Sequence, residues 1–303
     1  MLAKTSTIPL YILKIELYKN ITLINKNEKM VKPFIKMHGL GNDFVIIDQR
    51  IENIQISKDQ IVKICDRNFI GCDQLIFIKK NDKLDANLEF YNSDGSFSGA
   101  CGNGTRCVAY LLSKEKNKSS IDVQTSSGIL NSKILKDKLV ETEIGMPKTK
   151  WNEIPLNKEL NTKNLNFKIL DKKNNEFIGG IAINVGNPHV IFFVKNIDDF
   201  DLKKIGPEIE NNNLFPEKCN VTLANVINEN LIRIKVWERG AGLTKACGTA
   251  ACAAAYAGKI NGLVKSKTDI GFELGKLSIF IDDKDSIHMK GLVSDIKNLE
   301  IKI

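Results

Sequence analysis

Two stretches of this chain place a cysteine directly before a glycine and further small residues. They read Ala-Cys-Gly-Asn-Gly-Thr-Arg-Cys over 100–107 and Ala-Cys-Gly-Thr-Ala-Ala-Cys over 246–252. A thiolate can accept a proton and a thiol can return one, so Cys101 and Cys247 are candidates for acid–base chemistry. The glycine after each cysteine would let a ligand approach the main chain closely.

Each of these cysteines follows a Gly-Asn pair at nearly the same distance. The pair at 41–42 lies 60 positions before Cys101 (41 to 101), and the pair at 186–187 lies 61 positions before Cys247 (186 to 247). Chance recurrence of turn residues is the competing interpretation, but the matched spacing makes it weaker. The second copy follows the first by 145–146 residues (41 to 186 and 101 to 247). This offset is too long for a solenoid period, so it predicts two similar domains that face each other.

Length and composition fit a globular protein of about two domains, with 303 residues of which 43% are hydrophobic. No stretch approaches the ~18 consecutive apolar residues of a membrane span. The net charge is +8, but the lysines are scattered and no basic run is interleaved with aromatic residues. We therefore expect no membrane or nucleic-acid partner; a non-enzymatic basic binding protein would leave the repeat unexplained.

The cysteine count points to a reducing compartment. The seven cysteines are an odd number, and residues 1–29 lack a signal-peptide cleavage site, so we expect free thiols in a cytoplasmic protein. With three histidines and no Cys-x2-Cys spacing, no metal site is expected. Residues 1–29 are interpreted as a dispensable extension or a misassigned start. The cysteines assigned to packing are Cys65, Cys72, Cys107, Cys219 and Cys252.

Hydrophobic patterns predict an α+β protein with many short strands and one principal helix in each half. The expected strands are 34–36, 44–48, 74–79, 88–92, 121–125, 128–135 and 139–144, then 177–185, 190–194, 231–238, 277–281, 287–290 and 299–303. Helices are expected at 58–66 with Ser57 as N-cap, from 102 or 103 onward, and at 248–259, ended by Gly258 or Gly262.

Each Ala-Cys-Gly therefore lies at the start of a principal helix. The first turn of a helix offers unpaired N–H groups and a partial positive charge, which should lower the pKa of the thiol and bind a carboxylate. Two such ends facing each other would place an α-carbon between two sulfurs. One thiolate could remove its proton while the opposite thiol protonates the other face, which inverts the centre without a cofactor.

Polar residues near these motifs could hold the rest of a substrate. Asparagine side chains can donate and accept hydrogen bonds, Arg239 could clamp a second carboxylate, and Glu238 could hold an ammonium group. His189 could orient or tune a thiol. Each of these residues alone is more often a turn or surface residue, and only their placement beside the repeated motifs favours a site. The asparagines concerned are Asn42, Asn92, Asn187 and Asn220.

In combination and order, these motifs resemble the diaminopimelate epimerase family. The matching segments are 37–44 (Met-His-Gly-Leu-Gly-Asn-Asp-Phe), 92–96 (Asn-Ser-Asp-Gly-Ser), 100–107, 186–189 (Gly-Asn-Pro-His) and 238–249 (Glu-Arg-Gly-Ala-Gly through Ala-Cys-Gly-Thr). The resemblance spans roughly 31–303. Cys72, where the family usually has an apolar residue, is a departure that could bring an extra thiol near the site.

This resemblance implies a cofactor-independent isomerase that interconverts LL- and meso-diaminopimelate in lysine and peptidoglycan-precursor synthesis, with Cys101 and Cys247 as its acid/base pair. A proline or hydroxyproline racemase of the same superfamily is the alternative. The fold implied has two pseudo-symmetric domains from an internal duplication, 31–147 plus about 292–303 and 148–291. Each is a curved, mostly antiparallel sheet around a central helix, with the active site in the cleft.

The resemblance also implies a cytoplasmic homodimer and a set of site residues beyond the two cysteines. His189 and Glu238 would tune the thiols, and the substrate contacts would be Asn42, Gln74, Asn92, Gly102, Asn103, Asn187, Asn220, Glu238, Arg239, Gly248 and Thr249.

Overall fold

One continuous mixed sheet runs through both halves of the chain. The computed structural model describes residues 31–52, 54–99 and 101–302, so the interpretation of 1–29 lies outside the described residues. The first half contains strands β1 (Val31–Gly39), β2 (Asn42–Asp48), β3 (Gln74–Lys79), β4 (Ala86–Asn92), β5 (Phe97–Ser98), β6 (Ser120–Thr125), β7 (Gly128–Lys136) and β8 (Leu139–Gly145). Its helices are α1 (Lys58–Cys65) and α2 (Gly102–Lys116).

The second half follows the same plan with a small insertion. Its strands are β9 (Phe167–Leu170), β10 (Glu176–Gly179), β11 (Ile181–Asn184), β12 (Pro188–Phe193), β13 (Asn220–Asn228), β14 (Leu231–Glu238), β15 (Gly242–Thr244), β16 (Lys267–Phe272), β17 (Gly275–Ile281), β18 (Ile287–Leu292) and β19 (Lys297–Lys302). A 3-10 turn (Ile197–Asp199), α3 (Leu202–Glu210) and α4 (Gly248–Ile260) complete it. Strands β9 and β10 form a separate two-stranded sheet.

The strand pairing repeats from one half to the other. In the first half β1–β2 is antiparallel, β2–β3 parallel, β3–β4 antiparallel, β4–β6 parallel, and β6–β7–β8 antiparallel. Strands β11, β12, β13, β14, β16, β17 and β18 pair in the same sequence of orientations. The antiparallel β8–β18 pair joins the halves, so the expected pseudo-symmetric α+β architecture is confirmed.

Each principal helix lies in the core of its half. Helix α2 buries Cys107, Val108 and Leu112 among the strands of the first half. Helix α4 carries six alanines among its 13 residues, and residues 250–255 are all buried. Because these side chains are small, the surrounding strands can approach the α4 backbone closely.

The predicted elements are largely confirmed, with differences that have local causes. The bounds predicted for β3 and β14 match, and Ser57 caps α1 with its side chain accepting from Gln60 N–H. The strand predicted over 177–185 is wrong as one element, because Gly180 has φ +103° and divides it. Helix α3 was not predicted, since Pro207 lies inside it. Nor were strands β9, β13 and β16.

The C-terminal segment contacts the first half within the compact unit Phe34–Leu299. Val293 N–H donates to the Lys138 carbonyl (2.9 Å), and Ser294 N–H donates to the His38 carbonyl (2.9 Å). These contacts agree with a return of the chain at about residue 292, although the two domain ranges stay a prediction. In the part of the chain that the structure describes, no helix has the length and apolar character to cross a membrane.

Candidate active site

Cys101 is the N-cap residue of α2. Its backbone is extended (φ −143°, ψ 111°), its carbonyl accepts from Thr105 N–H (2.8 Å), and its sulfur accepts from Gly104 N–H (3.5 Å). The thiol therefore lies at the electropositive end of the helix. Gly104 serves packing rather than ligand approach, because a Cβ there would lie 2.8 Å from Ile76 Cδ1.

Cys247 occupies the equivalent place on α4. Its backbone is again extended (φ −132°, ψ 117°), and its carbonyl accepts from Ala251 N–H (3.1 Å). Its sulfur lies 3.3 Å from Thr249 Oγ1, and only 5% of the residue is exposed. The second helix thus presents a more deeply buried thiol than the first, since Cys101 is partly buried.

The two helix starts meet at one buried side chain, Met289 of β18. A Cβ on Gly102 would overlap the Met289 methyl group, and a Cβ on Gly248 would lie 3.0 Å from its sulfur. That same Cβ would lie 3.3 Å from Asn103 Oδ1 on α2. The first turns of α2 and α4 are therefore adjacent, with the glycines making room for Met289 between them.

An amide chain runs from the β1–β2 turn to α2. The Asn42 Oδ1 atom accepts from Asn103 Nδ2 (3.2 Å) and lies 3.9 Å from Cys101 Sγ. Asn42 Nδ2 donates to Asp73 (2.9 Å), and Arg106 donates to Asn103 Oδ1 (2.7 Å). The structure thus brings the predicted residues Asn42, Asn103 and Cys101 together.

Gln74 and Asn92 lie opposite each other at the edge of the first half. They are partners in the β3–β4 register, and Gln74 Nε2 donates to Asn92 Oδ1 (2.9 Å). Gln74 Oε1 is buried and has no protein partner among the described residues. Asn92 Nδ2 donates to Ser96 in the following turn (3.0 Å). Their amides line the strand edge on which Asn42 also lies.

The corresponding edge of the second half holds the remaining predicted residues. His189 Nε2 contacts Asn187 Oδ1 (2.8 Å), and Asn220 donates to the Pro188 carbonyl (3.0 Å). The Asn220 Oδ1 atom accepts from Arg239 N–H (3.0 Å). The Arg239 guanidinium donates to the Glu217 carbonyl (2.6 Å).

His189 is fully buried and uncharged. Burial, together with the charge of Arg239, lowers the pKa of His189 to about 3. Its ring bonds to Asn187 and not to either candidate thiol, and its Nδ1 has no protein partner among the described residues. A tuning role for His189 stays a prediction.

Glu238 acts on both thiols and links the two halves electrostatically. It ends β14, where its carboxylate accepts from Thr244 Oγ1. Burial raises the pKa of Cys101 and of Cys247, and the charge of Glu238 raises both further. Burial raises the pKa of Glu238 itself, as does the charge of Asp73 in the first half. The edge residues of the two halves therefore face each other around the helix starts.

Burial dominates the ionisation of the two thiols. It raises the pKa of Cys101 to about 12 and that of Cys247 well above its ordinary value. Hydrogen bonds from Gly104 and Ala250 act in the opposite direction and are outweighed. The expectation of lowered thiol pKa values was therefore wrong, because it considered the helix ends without the desolvation of the site. Ionisation of either thiol needs a compensating positive charge.

Sequence reasoning missed several residues at the site. Met289 stands 42 residues beyond Cys247 (247 to 289), outside every motif, and no local signal marks it. Asp73 directly precedes a predicted strand, whereas Thr244 and Arg106 lie inside matching segments without being singled out. Among the described residues, no three His, Cys, Asp or Glu side chains are grouped as metal ligands would be. The five cysteines assigned to packing are all buried and free, as expected, and Cys72 contacts Cys65 (3.4 Å).

The fold as a whole is shared with solved structures of low sequence similarity. A hydroxyproline epimerase from Agrobacterium vitis aligns with a TM-score of 0.63 at 11% identity, covering 92% of this chain and 95% of that one. A phenazine biosynthesis protein from Bacillus anthracis aligns with a TM-score of 0.61 at 16% identity, covering 90% and 100%. These likenesses define the architectural class, a pair of similar α+β halves around a cleft.

Sequence comparison then identifies the family. The family model described as diaminopimelate epimerase matches residues 34–150 and 181–295. The diaminopimelate epimerase of Pelagibacter ubique is 69% identical over 273 residues, which are 90% of this chain and 99% of that protein. That of Acidiphilium cryptum is 39% identical, over 87% of this chain and 94% of its own. The chain belongs to the diaminopimelate epimerase family.

Proposed function

We propose that this protein interconverts LL- and meso-diaminopimelate by proton transfer between two cysteines. The observation that carries the proposal is the pair of N-cap thiols, Cys101 and Cys247, on two helices whose first turns are adjacent. Family membership and the high identity to named diaminopimelate epimerases support the substrate. The reaction serves lysine and peptidoglycan-precursor synthesis.

The two helix starts would hold the α-carboxylate of the substrate. The N–H groups of Gly102, Asn103, Gly248 and Thr249 belong to first turns, where backbone donors lack partners within the helix. Removing the α-proton places negative charge on the α-carbon and its carboxylate. Fixed backbone donors stabilise that charge without reorganising, so no cofactor is required for this step.

Inversion requires one thiolate and one thiol on opposite faces of the α-carbon. The thiolate forms an S–H bond as the C–H bond breaks, and the opposite thiol gives its proton to the other face as its own S–H bond breaks. The two sulfurs have then exchanged protonation states, which suits a reversible reaction. An ammonium group near Glu238 would remain close to both sulfurs and offset part of the burial of the thiolate.

The polar edges of both halves would hold the other end of a two-headed amino acid. Arg239 and the amides of Asn187 and Asn220 lie together on one edge, and Gln74 and Asn92 lie on the other. A guanidinium can bind a carboxylate with two parallel hydrogen bonds. Proline has no second carboxylate for this purpose, so the proline or hydroxyproline racemase alternative is less well supported. We also propose a cytoplasmic homodimer, on the family resemblance.

Chromatographic assay of diaminopimelate stereoisomers, under reducing conditions, tests the proposal. Cys101→Ala and Cys247→Ala should each lower kcat/KM for epimerisation by a factor on the order of 10³ or more. Cys252→Ala, a matched change in the core of α4, should leave kcat/KM within about threefold of the unmodified enzyme. Full epimerisation by either single variant would contradict the two-thiol mechanism, and faster turnover of proline would favour the alternative.

A further inference from the structure

The Arg106 side chain is a charged group that the proposed reaction has not used. It lies on α2, five residues after Cys101, and the residue is completely buried. Its Nη2 atom donates to Asn103 Oδ1 (2.7 Å). No protein group of the described residues accepts a hydrogen bond from its Nε or Nη1 atoms. A guanidinium in such a place is uncommon, because burial of a charge is unfavourable unless the charge is compensated.

The guanidinium occupies the seam between the two halves. A Cβ on Gly39, the last residue of β1, would lie 3.3 Å from Arg106 Nη2. A Cβ on Gly291, in β18, would lie 3.2 Å from the same atom. Since neither glycine has a positive φ, what these positions provide is room for the planar group against the main chain. The fold therefore accommodates this cation closely on two sides.

Thiols, and not carboxylates, are the groups that face this cation. The ionisable groups that act on Arg106 are Cys101, Cys107 and Cys252, and among the described residues no ion pair to a carboxylate compensates its charge. Burial lowers the pKa of Arg106, yet an arginine stays protonated in proteins. A permanent positive charge thus lies close to Cys101 and lowers its pKa, against the effect of burial and of Glu238.

Arg106 also reaches Cys101 through side-chain amides. By donating to Asn103 Oδ1, it turns the Asn103 Nδ2 group toward Asn42, which accepts at 3.2 Å. The accepting atom, Asn42 Oδ1, lies 3.9 Å from Cys101 Sγ. The orientation of this amide chain beside the sulfur therefore depends on the guanidinium.

The two halves differ at this position although their backbones correspond. Five residues after the N-cap cysteine, α2 carries Arg106 (101 to 106) and α4 carries Cys252 (247 to 252). At the ends of the equivalent strands β4 and β14, the first half has the neutral Asn92 and the second has the acidic Glu238. The cation thus lies on the helix that Cys101 caps, and the anion that raises the pKa of Cys247 belongs, like Cys247, to the second half.

We propose that Arg106 is a positioning residue that makes Cys101, rather than Cys247, the first of the two thiols to ionise. This rests on the proposed function insofar as the two thiols are its acid and base. The groups facing Cys101 are Arg106 and Glu238, and those facing Cys247 are Glu238 and Thr249. When one of the two thiols ionises, the negative charge therefore lies on Cys101 and the proton stays on Cys247.

The first test uses the unaltered protein and needs no turnover. Alkylation by iodoacetamide, followed over pH by peptide mass spectrometry, gives the midpoint of thiolate formation for each cysteine independently of its accessibility. We expect the Cys101 midpoint to lie below that of Cys247 by about one pH unit or more. Equal midpoints, or a lower midpoint for Cys247, would overturn the proposal.

The second test removes the cation. Arg106→Gln should raise the Cys101 midpoint by about one pH unit, a tenfold smaller thiolate fraction at a given pH, and leave that of Cys247 unchanged. Arg106→Lys keeps a positive charge and should restore most of the shift. Arg233→Gln, at an exposed arginine paired with Asp198, is the matched control and should change neither midpoint. If activity falls in Arg106→Gln while both midpoints stay constant, the role is only structural and the proposal is wrong.

These measurements separate this proposal from the proposed function. If the expected order of midpoints and the shift in Arg106→Gln are both found in a protein that does not epimerise diaminopimelate, the substrate assignment fails and the role of Arg106 stands. If epimerisation is found with the reverse order, the role of Arg106 fails and the function stands. Should Arg106→Gln not fold, equal or reversed midpoints in the unaltered protein would still overturn the proposal.

Discussion

Met289 packs against both helix starts, and Gly102→Ala is the change that tests the importance of this packing. Residue 102 is the first of α2, and the methyl group added by alanine would overlap the methyl group of Met289. Met289 is itself completely buried, so its end cannot move into solvent. Either Met289 adopts a poorer rotamer or the first turn of α2 shifts away from α4.

Two opposing effects decide the size of the change. Alanine is favoured over glycine in a helix by about 0.5–1 kcal/mol. Overpacking a filled core costs about 1–3 kcal/mol. We therefore expect Gly102→Ala to lower the free energy of unfolding by about 0.5–2 kcal/mol. Gly248→Ala meets the Met289 sulfur at 3.0 Å, a milder contact, and should cost less.

A double-mutant cycle measured by urea denaturation isolates the contact. Met289→Ala alone should lower the free energy of unfolding by about 2–5 kcal/mol because it leaves a cavity. Combined with Gly102→Ala, the new methyl group enters that cavity, so the double variant should be more stable than the sum predicts by about 1 kcal/mol or more. In parallel, kcat/KM should fall in Gly102→Ala, since the backbone donors of α2 shift.

Additive free energies in this cycle would refute the reasoning. If the two changes sum within about 0.5 kcal/mol, the alanine methyl group and Met289 do not interact. Unchanged kcat/KM in a destabilised Gly102→Ala variant would show that the position of the first turn is not important for binding.

Three other expectations concern charge. Glu238→Gln removes the anion that raises the pKa of Cys247, so Cys247 should be alkylated faster at a fixed pH while turnover falls; slower alkylation would contradict this. Burial raises the pKa of Cys252 from 9.0 to about 12, so its contribution to stability is intact below pH 9 and declines as pH rises toward 12. Between pH 8 and pH 10, urea denaturation should thus show a fall in the free energy of unfolding that is about 1.4 kcal/mol larger for the unaltered protein than for Cys252→Ala. Equal falls in the two proteins would exclude this contribution of Cys252. Burial tends to raise the pKa of Asp43, but Arg67 and Lys36 lower it overall. The pairing of Asp43 with these two residues therefore stabilises the folded protein above pH 4, and this stabilisation is lost as the pH falls below 4. The Arg67 side chain is 57% exposed, so Arg67→Gln should lower the free energy of unfolding by at most about 1 kcal/mol at pH 7 and by less at pH 3. An equal decrease at both pH values would contradict a role for the Asp43 charge.

Local signals in the sequence account for most of the fold. Ser57 followed by Gln60 predicts the start of α1, and both reciprocal cap hydrogen bonds are present. The apolar alternation of 231–238 predicts β14 with its bounds. By contrast, α3 contains Gly206 and Pro207, which argue against a helix. It forms because Gly206 packs closely on Trp237, a contact between distant residues that no local pattern reports.

The same contrast between local signals and distant contacts holds for the candidate site. The repeated motif predicts that Cys101 and Cys247 cap two helices, since the glycine and the small residues after each are local features. The ionisation of these thiols depends on how completely the two halves enclose them, and burial is a tertiary property. Met289 and the environment of Arg106 depend on β18, whose residues follow α2 by more than 170 positions (116 to 287). The geometry of the site was predictable where it depends on residues close in sequence, whereas the electrostatics of the thiols was not.

The repeat also constrains how a site with unequal halves can catalyse a reversible inversion. Equivalent strands and helices bring two sulfurs to equivalent positions, but Arg106 on one side and Glu238 on the other make the two protonation states unequal in energy. A substrate whose proton faces Cys101 meets the thiol that ionises more readily. The opposite stereoisomer must meet a charge on Cys247, which is the less populated state. Because the overall equilibrium is a property of the substrate alone, the unequal halves cannot change it. They instead divide the barrier between the inversion itself and the return of a proton to Cys247, which must precede the next turnover in the same direction.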